Sequence, residues 1–250
     1  MTEQTRSGGA LKSGAIILGA AVLGFAGGWA WQVTGAGRDA TEQVVRNYIL
    51  DHPEILPEAM QRLQERELAA RLAPLRTTLE QPYPGAVLGN PKGSVTLVEF
   101  ADYACPYCRV SVADVEALIA ADKDLKVVMR EDAVLGPQSV EAARMALAAA
   151  DQGHYAAFHK AMFAKESPTP QAIEAAAREA GLDLAKARAD IATGKYDFEL
   201  ENNRRLAAEI GFTGTPSWVI GDRAYSGAQG RETLAEAVAQ ARKAKAEKAS

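Results

Sequence analysis

A cysteine pair placed directly after an apolar run constrains the fold of this chain more than any other feature of its sequence. The run VTLVEF (95–100) is rich in β-branched residues, which predicts a buried strand. Cys105 and Cys108 follow it, and Pro106 is well suited to the first position of a helix. We therefore predict a strand, a turn and a helix whose N-terminus carries both sulfur atoms.

The segments around this pair predict an α/β domain. A second apolar strand, LKVVMR (125–130), completes a strand–helix–strand unit, for which parallel strands are typical. The later pattern predicts a hairpin with a type II′ turn at Gly221-Asp222. The predicted order is helix 106–121, strand 125–130, an all-helical stretch at about 138–210, hairpin 217–227 and a last helix at 231–244.

The two cysteines are predicted to differ in reactivity. If Cys105 is the N-cap of the helix, the N–H groups of Tyr107 and Cys108 point at its sulfur, and the helix dipole adds positive potential. Both effects favour thiolate over thiol, so we expect a lowered pKa and an attacking role for Cys105. Cys108, one turn further along, is placed to resolve a mixed disulfide.

Composition argues against other uses of the cysteines. A C-x-x-C loop is too short to stabilise a fold much by loop closure. The histidines His52, His154 and His159 show no ligand-like spacing with the two cysteines, and four-ligand zinc sites need more ligands. We therefore expect no metal and no other cofactor. The net charge of −4, without a long basic run, argues against binding nucleic acid.

Two further features lie near the cysteines in the predicted fold. Glu99 interrupts the apolar strand, and burial beneath the cysteine turn would raise its pKa and suit it to proton transfer. The alternative is a solvated glutamate at the strand edge. In GFTGTPSWVI (211–220), a cis Thr215–Pro216 bond would fit a tight turn before a strand and expose the Thr215 backbone to an extended substrate.

An uncharged apolar segment lies near the N-terminus. No charged residue occurs between Lys12 and Arg38, and the most apolar part, 14–31, approaches the ~20 residues that a membrane-spanning helix needs. Arg6 and Lys12 precede this segment, and positive charge favours the cytoplasmic side. We therefore expect the N-terminus to lie in the cytoplasm and the rest of the chain outside it.

This segment has two interpretations. We expect a cytoplasmic tail at 1–12 and a transmembrane anchor at 13–34. A cleaved signal peptide is the alternative. The length of the segment and the interfacial position of Trp29 and Trp31 favour the uncleaved anchor.

The sequence of residues 39–80 predicts a helical extension. It precedes the domain that holds the cysteines, and we expect that domain to span residues 84–250. Pro53, Pro57 and Pro74 divide the extension into two or three helical pieces. Apolar residues recur mostly at spacings of three and four: Leu56, Met60, Leu63, Leu68, Leu72, Leu75 and Leu79. This stripe needs a partner, which is either the chain's own domain or further copies of the extension.

The ordered set of features resembles the DsbA-like thiol–disulfide oxidoreductases of the thioredoxin superfamily over residues 84–245. The likeness rests on VTLVEFADYACPYC, on the helical insertion, and on GFTGTPSWVI with its hairpin and last helix. NYILDHPEILPEAMQRLQ followed by AVLGNPKGSVTLVEF looks like the membrane-anchored or exported branch of Gram-negative bacteria. The resemblance implies a thioredoxin fold, βαβ followed by ββα, with an all-helical insertion.

The resemblance also implies roles for individual residues. Cys105 corresponds to the exposed nucleophile and Cys108 to the resolving cysteine. Thr215 and Pro216 correspond to the cis-proline loop that faces the sulfur pair. Glu99 matches the buried acidic position of the family.

The sequence departs from the family pattern at two places. The residues between the cysteines are Pro106 and Tyr107, where the strongest oxidants have Pro-His. Without an imidazolium, the thiolate should be less extreme and the disulfide less oxidising. We place both residues in the substrate-binding surface. The stretch REDAVLG (130–136) lacks an aromatic–proline pair that the family has nearby.

These features predict a periplasmic thiol–disulfide oxidoreductase attached to the inner membrane. Its expected partners are exported cysteine-containing proteins, a membrane redox partner and, through residues 40–80, further copies of itself. A disulfide isomerase or reductase acting as an oligomer is the enzyme alternative. A protein that binds a soft metal such as Cu(I) is the alternative from another class.

Overall fold

The computed structural model describes residues 36–249 of the 250-residue chain. The tail predicted at 1–12 and the anchor predicted at 13–34 lie outside these residues. Within the described range, no helix combines the length and apolar character that crossing a bilayer requires. The chain divides into two compact units, with the boundary between Arg62 and Leu63.

A mixed five-stranded sheet forms the centre of the second unit. Its strands are β1 (Val87–Gly89), β2 (Val95–Ala101), β3 (Leu125–Glu131), β4 (Ser217–Ile220) and β5 (Arg223–Ser226). The spatial order is β1-β3-β2-β4-β5, with β2 and β3 parallel and every other pair antiparallel. The predicted parallel pair and the predicted hairpin are therefore confirmed.

Most of the other described residues are helical. The helices are α1 (Ala36–Asp51), α2 (Ile55–Leu72), α3 (Arg76–Glu80), α4 (Pro106–Ala121), α5 (Pro137–Asp151), α6 (Tyr155–Phe163), α7 (Pro170–Glu179), α8 (Leu184–Ala192), α9 (Asp197–Ile210) and α10 (Gly230–Ala249). A short 3₁₀ turn, Ala73–Leu75, contains Pro74 and separates α2 from α3. Helices α5 to α9 form the predicted insertion between β3 and β4.

Two details of the sheet bear on the predictions. Gly221 has a φ of 56° and Asp222 does not have a positive φ, which fits the predicted type II′ turn of the β4–β5 hairpin.

Strand β1 lies in a stretch rich in glycine and proline that predicted only a linker. That prediction was wrong there, because three residues at a sheet edge are too few to show an apolar alternation.

The sheet separates two hydrophobic clusters. Side chains alternate between the two faces along β2 and β3. One face, which we call the cysteine face, carries Leu97, Glu99 and Ala101 of β2 and Val127, Met129 and Glu131 of β3. That face packs against α4, α10 and the insertion. The opposite face, which we call the arginine face, carries Val98, Phe100, Val128 and Arg130. It packs against α9, the end of α2 and the stretch that follows α2.

The apolar stripe of the helical extension has two environments. Leu72 and Leu79 are almost completely buried in the cluster on the arginine face, and Leu68 and Leu75 pack beside them. This part of the stripe therefore packs on the chain's own sheet. In the first unit, described by itself, the apolar side chains at least half exposed are Val44, Val45, Tyr48, Leu50, Leu56 and Met60.

Candidate active site

The turn between β2 and α4 places Cys105 at the start of the helix. Cys105 has an extended backbone (φ −79°, ψ 119°) and Pro106 takes the first helical position. The backbone N–H of Cys108 donates a hydrogen bond to Cys105 Sγ over 3.4 Å. A sulfur atom therefore occupies the N-cap position, where serine or aspartate oxygen usually lies.

The surroundings of Cys105 favour its thiolate. The Cys108 side chain contributes the strongest stabilising hydrogen bond, and hydrogen bonds from the backbone N–H groups of Cys108 and Tyr107 add to it. Burial acts in the opposite direction. The net result lowers the pKa of Cys105 from 9.0 to about 5, so its sulfur is ionised at neutral pH.

Cys108 has the opposite properties. Its side chain is completely buried inside the first turn of α4, and both cysteines are free thiols in this structure. The hydrogen bond with Cys105, together with burial, raises the pKa of Cys108 far above its ordinary value. One sulfur is therefore reactive at neutral pH, and the other keeps its proton until a base accepts it.

The loop before β4 faces the cysteines. The Thr215–Pro216 peptide bond is cis, and Cys105 Sγ lies 3.2 Å from the carbonyl oxygen of Thr215. Pairing of Ser217 with Phe100 fixes this loop beside the end of β2, where the cysteine turn begins. The sheet thus brings Cys105, Thr215 and Pro216 together across more than a hundred residues of sequence.

Pro106 and Tyr107 lie on the surface beside this contact. Tyr107 is 65% exposed, and Val110 on the next turn of α4 is 64% exposed. Leu135, in the loop after β3, is also more than half exposed. The reactive sulfur therefore has accessible apolar side chains near it.

Glu99 lies beneath the cysteine turn. It is 3% exposed and is paired in the sheet with Met129 on one side and Trp218 on the other. Burial is the main cause that raises its pKa to about 8, and the negative charges of Glu131 and Cys105 contribute. Its carboxyl group can therefore gain or lose a proton near neutral pH.

A second buried carboxyl group, Glu131, was not predicted. Its Oε1 accepts hydrogen bonds from the hydroxyl groups of Tyr155 at 2.6 Å and Tyr103 at 3.3 Å. The Tyr103 hydroxyl also lies 3.4 Å from Nδ1 of His159, one of the side chains that line a groove between α4, α6 and β1. The signal in the sequence was an acidic residue ending an apolar strand, within the stretch REDAVLG.

Asp102 organises the loops around the site. Its carboxylate accepts hydrogen bonds from the backbone N–H groups of Ala104, Val134 and Leu135. These bonds tie the cysteine turn to the loop after β3. Across residues 36–249, no group of three or more histidine, cysteine or acidic side chains is arranged to hold a metal ion.

Comparison with known families agrees with this geometry. Residues 96–239 match the DSBA-like thioredoxin domain family. The chain belongs to this family. Its members are thiol–disulfide oxidoreductases, as the sequence resemblance implied. Residues 38–70 separately match the N-terminal domain of the copper resistance protein ScsC.

Several solved structures are similar to the chain. A thioredoxin-like oxidoreductase from Silicibacter pomeroyi is 41% identical with a TM-score of 0.64, and the match covers 67% of this chain and 98% of that one. The thiol–disulfide exchange protein α-DsbA2 from Wolbachia pipientis is 26% identical (TM-score 0.65, coverage 71% and 97%). Proteus mirabilis ScsC in a transitional conformation is 26% identical (TM-score 0.61, coverage 82% and 94%).

Curated relatives are much longer proteins. The Na(+)/H(+) antiporter NhaA 3 of Salinispora tropica is 28% identical over 189 residues, which are 68% of this chain and 29% of the antiporter. NhaA 1 of Salinispora arenicola is 28% identical over 158 residues, 62% of this chain and 24% of the antiporter. The chain therefore spans less than a third of the curated relatives that it matches.

Proposed function

We propose that this protein is a periplasmic thiol–disulfide oxidoreductase that exchanges disulfides with exported cysteine-containing proteins through Cys105-Pro106-Tyr107-Cys108. One observation carries the proposal. Cys105 Sγ caps α4 in a setting that favours thiolate and lies 3.2 Å from the Thr215 carbonyl oxygen. A thiolate is the attacking species in disulfide exchange, and membership of the DSBA-like family supports the same chemistry.

The exchange takes place in two steps. When the chain acts as a reductant, the Cys105 thiolate attacks a substrate disulfide and releases one substrate sulfur as a thiolate. Cys108 then loses its proton and attacks Cys105 Sγ, which releases the second substrate sulfur. Two electrons pass to the substrate, and the Cys105–Cys108 disulfide forms. Oxidation of a substrate dithiol is the reverse sequence.

The substrate-binding surface in this proposal includes Thr215, Pro216, Pro106 and Tyr107. An extended substrate that pairs with the Thr215 backbone would place its own sulfur against Cys105, as in strand addition. The exposed Tyr107 ring offers apolar contact without charge. Main-chain pairing with apolar contacts fits a protein that handles many different cysteine-containing clients.

Glu99 is the proposed proton carrier. Cys108 must lose a proton before it attacks and must regain one when the disulfide opens. The Glu99 charge contributes to the raised pKa of Cys108, which means that the two groups interact through space. A carboxyl group that titrates near neutral pH can accept this proton and later return it.

The direction of exchange depends on the reduction potential. The Cys105 pKa of about 5 lies between the ~3.5 of the strong oxidant DsbA and the ~7 of thioredoxin. We therefore expect a potential between about −120 and −270 mV, measured at equilibrium with glutathione. A value near −120 mV favours an oxidase. A value of about −180 mV or lower favours the alternative, an isomerase or reductase.

Trapping of mixed disulfides tests the proposal itself. In a Cys108→Ala variant, Cys105 still attacks but the complex cannot resolve, so covalent adducts with exported proteins should accumulate. The matched Cys105→Ala variant should form none. If neither variant forms adducts that a reductant releases, the proposed exchange chemistry is wrong.

The location is part of the proposal. It is supported by the uncharged segment at 13–34 and by the basic residues Arg6 and Lys12 before it. Protease added to spheroplasts should degrade the domain, and intact cells should protect it. N-terminal sequencing of the mature protein distinguishes an anchor from a cleaved signal. A membrane redox partner would regenerate the cysteine pair between cycles.

Self-association through residues 40–80 is the last part of the proposal. It is supported by the exposed apolar side chains of α1 and early α2, since exposed apolar patches mark interaction sites. The match of residues 38–70 to the ScsC N-terminal domain family gives further support. Light scattering should give a mass above that of one chain, and Tyr48→Glu with Met60→Glu should reduce it. The control Phe198→Glu changes an exposed aromatic residue outside this region.

A further inference from the structure

Glu99 and Glu131 lie on the same face of the sheet, next to the cysteine pair. In the parallel register of β2 and β3, Glu99 is opposite Met129, and Ala101 is opposite Glu131. Glu131 is therefore one strand across from Glu99 and two residues further along. These two offsets place the Cα atoms of Glu99 and Glu131 roughly 8 Å apart. Side chains from these positions extend into the same layer, beneath α4.

Neither carboxyl group has a compensating cation within residues 36–249. Both side chains are 3% exposed, and among the described residues neither forms an ion pair. The ionisable side chains that face the two groups are Cys105, Cys108, Asp102, Tyr103, Tyr155 and, through Tyr103, His159. Helix α10 contributes only apolar buried residues to this layer, namely Leu234, Ala237 and Val238. Two buried carboxylates in such a place interact strongly, since ionisation of one disfavours ionisation of the other.

Glu131 is held in a defined position by its tyrosines. The hydroxyl groups of Tyr155 and Tyr103 both donate to Oε1, and Tyr155 comes from the helical insertion, while Tyr103 comes from the cysteine turn. Burial raises the pKa of Glu131 to about 8, and the two tyrosine hydroxyl groups oppose this shift by stabilising the charged form of the carboxyl group. The two-step exchange proposed for Cys105 and Cys108 does not require Glu131, although Glu131 lies beside the proposed proton carrier Glu99.

We propose that Glu131, held by Tyr103 and Tyr155, forms with Glu99 a two-carboxyl unit that holds the proton exchanged with Cys108. Glu99 exchanges this proton directly with Cys108. Glu131 is a positioning residue that acts through Glu99, because in the pH range where Glu131 is ionised its charge makes Glu99 a better proton acceptor. This inference rests on the proposed exchange chemistry of Cys105 and Cys108.

The pH dependence of disulfide closure is the direct test. Cys105 and Cys108 are the only cysteines of the chain, so Ellman's reagent reports on this pair alone. The Cys105 thiolate attacks the reagent and releases one thionitrobenzoate. Cys108 then gives its proton to Glu99 and attacks Cys105 Sγ, which releases the second thionitrobenzoate and leaves the Cys105–Cys108 disulfide. Stopped-flow absorbance separates the two releases in time.

The Glu131→Gln variant of the full chain should change only the second release. Loss of the Glu131 charge lets Glu99 ionise at lower pH, so the midpoint of the rate against pH should fall by about one unit, the scale of coupling between interacting sites. Glu131→Asp keeps the charge and should restore a profile close to that of the parent. The first release and the absorbance titration of Cys105 should stay as in the parent, whereas a distorted cysteine turn would alter both.

Two further variants complete the test. Tyr155→Phe removes a hydrogen bond that stabilises ionised Glu131 and should shift the midpoint in the same direction, even if Glu131→Gln does not fold. Asp132→Asn removes a neighbouring buried carboxylate and should leave the midpoint unchanged. Unchanged midpoints in both Glu131→Gln and Tyr155→Phe would overturn the two-carboxyl unit. Absence of the first release in the parent would instead contradict the proposed function.

Discussion

Arg130 and Glu131 are neighbours in sequence, both are almost completely buried, and they point to opposite faces of the sheet. On the arginine face, the Arg130 guanidinium donates to the carboxylate of Glu199, to Asn203 Oδ1 and to the carbonyl groups of Thr78, Leu79 and Gln81. On the cysteine face, Glu131 accepts from two tyrosine hydroxyl groups and has no cation beside it within the described part of the chain.

This difference distinguishes two uses of a buried charge. A buried charge that has an ion-pair partner and satisfied hydrogen bonds can hold secondary-structure elements together. Here Arg130, on β3, binds both α9 and the stretch around α3. A buried carboxyl group without a cation keeps its proton to higher pH, which costs stability but makes the group useful as a proton carrier. Strand β3 therefore carries a structural arginine, Arg130, on one face and a carboxyl group suited to proton transfer, Glu131, on the other.

The largest expected effect concerns Cys105 on the cysteine face. Thiolate absorbance near 240 nm should rise in the reduced protein with a midpoint at about pH 5, four units below the ordinary 9.0. Cys108 should not contribute in this range, because its pKa is raised. Cys105→Ser should abolish both the transition and the exchange activity. A midpoint near 8.5 would contradict an activated nucleophile.

On the arginine face, Arg130→Met should cost about 3–5 kcal/mol in free energy of unfolding, because it leaves Glu199, Asn203 and several carbonyl groups without their partner. Denaturant unfolding measures this loss. The matched control Arg144→Met removes a partly exposed ion pair with Asp197 and should cost about 1 kcal/mol or less. Equal losses of unfolding free energy in the two variants would mean that Arg130 stabilises the fold no more than an exposed ion pair does.

On the cysteine face, Glu99→Gln should have a pH-dependent effect on stability. The folded-state pKa of Glu99 is raised from 4.5 to about 8, so its contribution is fully present below pH 4.5 and is lost as the pH rises through 8. Relative to the parent, the glutamine variant should therefore gain stability between pH 5 and 9. At about 1.36 kcal/mol per pKa unit, the gain is on the order of a few kcal/mol.

Unfolding measured at several pH values provides this comparison. The control Glu116→Gln changes an exposed carboxylate paired with Lys160, and its pH dependence should stay within about 1 kcal/mol of the parent. If Glu99→Gln follows the same pH dependence as the parent, Glu99 does not carry a raised pKa in the folded protein.

The features that could be predicted from sequence are those set by local chemistry. The N-cap position of Cys105 follows from Pro106 and the preceding strand, and strands β2 and β3 follow from their apolar runs. Strand β1 was missed because only three residues at the sheet edge form it. Its pairing with β3 depends on tertiary contact rather than on its own sequence.

The partners of Glu131 and Arg130 could not be predicted for a different reason. Tyr155 lies 24 residues after Glu131 in the helical insertion, and Glu199 lies 69 residues after Arg130. Such contacts depend on how the insertion folds back on the sheet, which no periodicity in the sequence specifies. The sequence showed only an adjacent arginine and glutamate at the end of a strand, which is also typical of solvated residues.

The smallest expected effect tests whether the two faces are independent. Asn203 on α9 touches both neighbours, because its Oδ1 accepts from Arg130 and its Nδ2 donates to the backbone carbonyl of Glu131. Asn203→Ala should cost about 1–3 kcal/mol, since it leaves buried partners unsatisfied. The titration midpoint of Cys105 should stay at about 5, because Asn203 contacts only the backbone of Glu131. A shifted midpoint would mean that the hydrogen bonds around Arg130 and Asn203 also affect the pKa of Cys105.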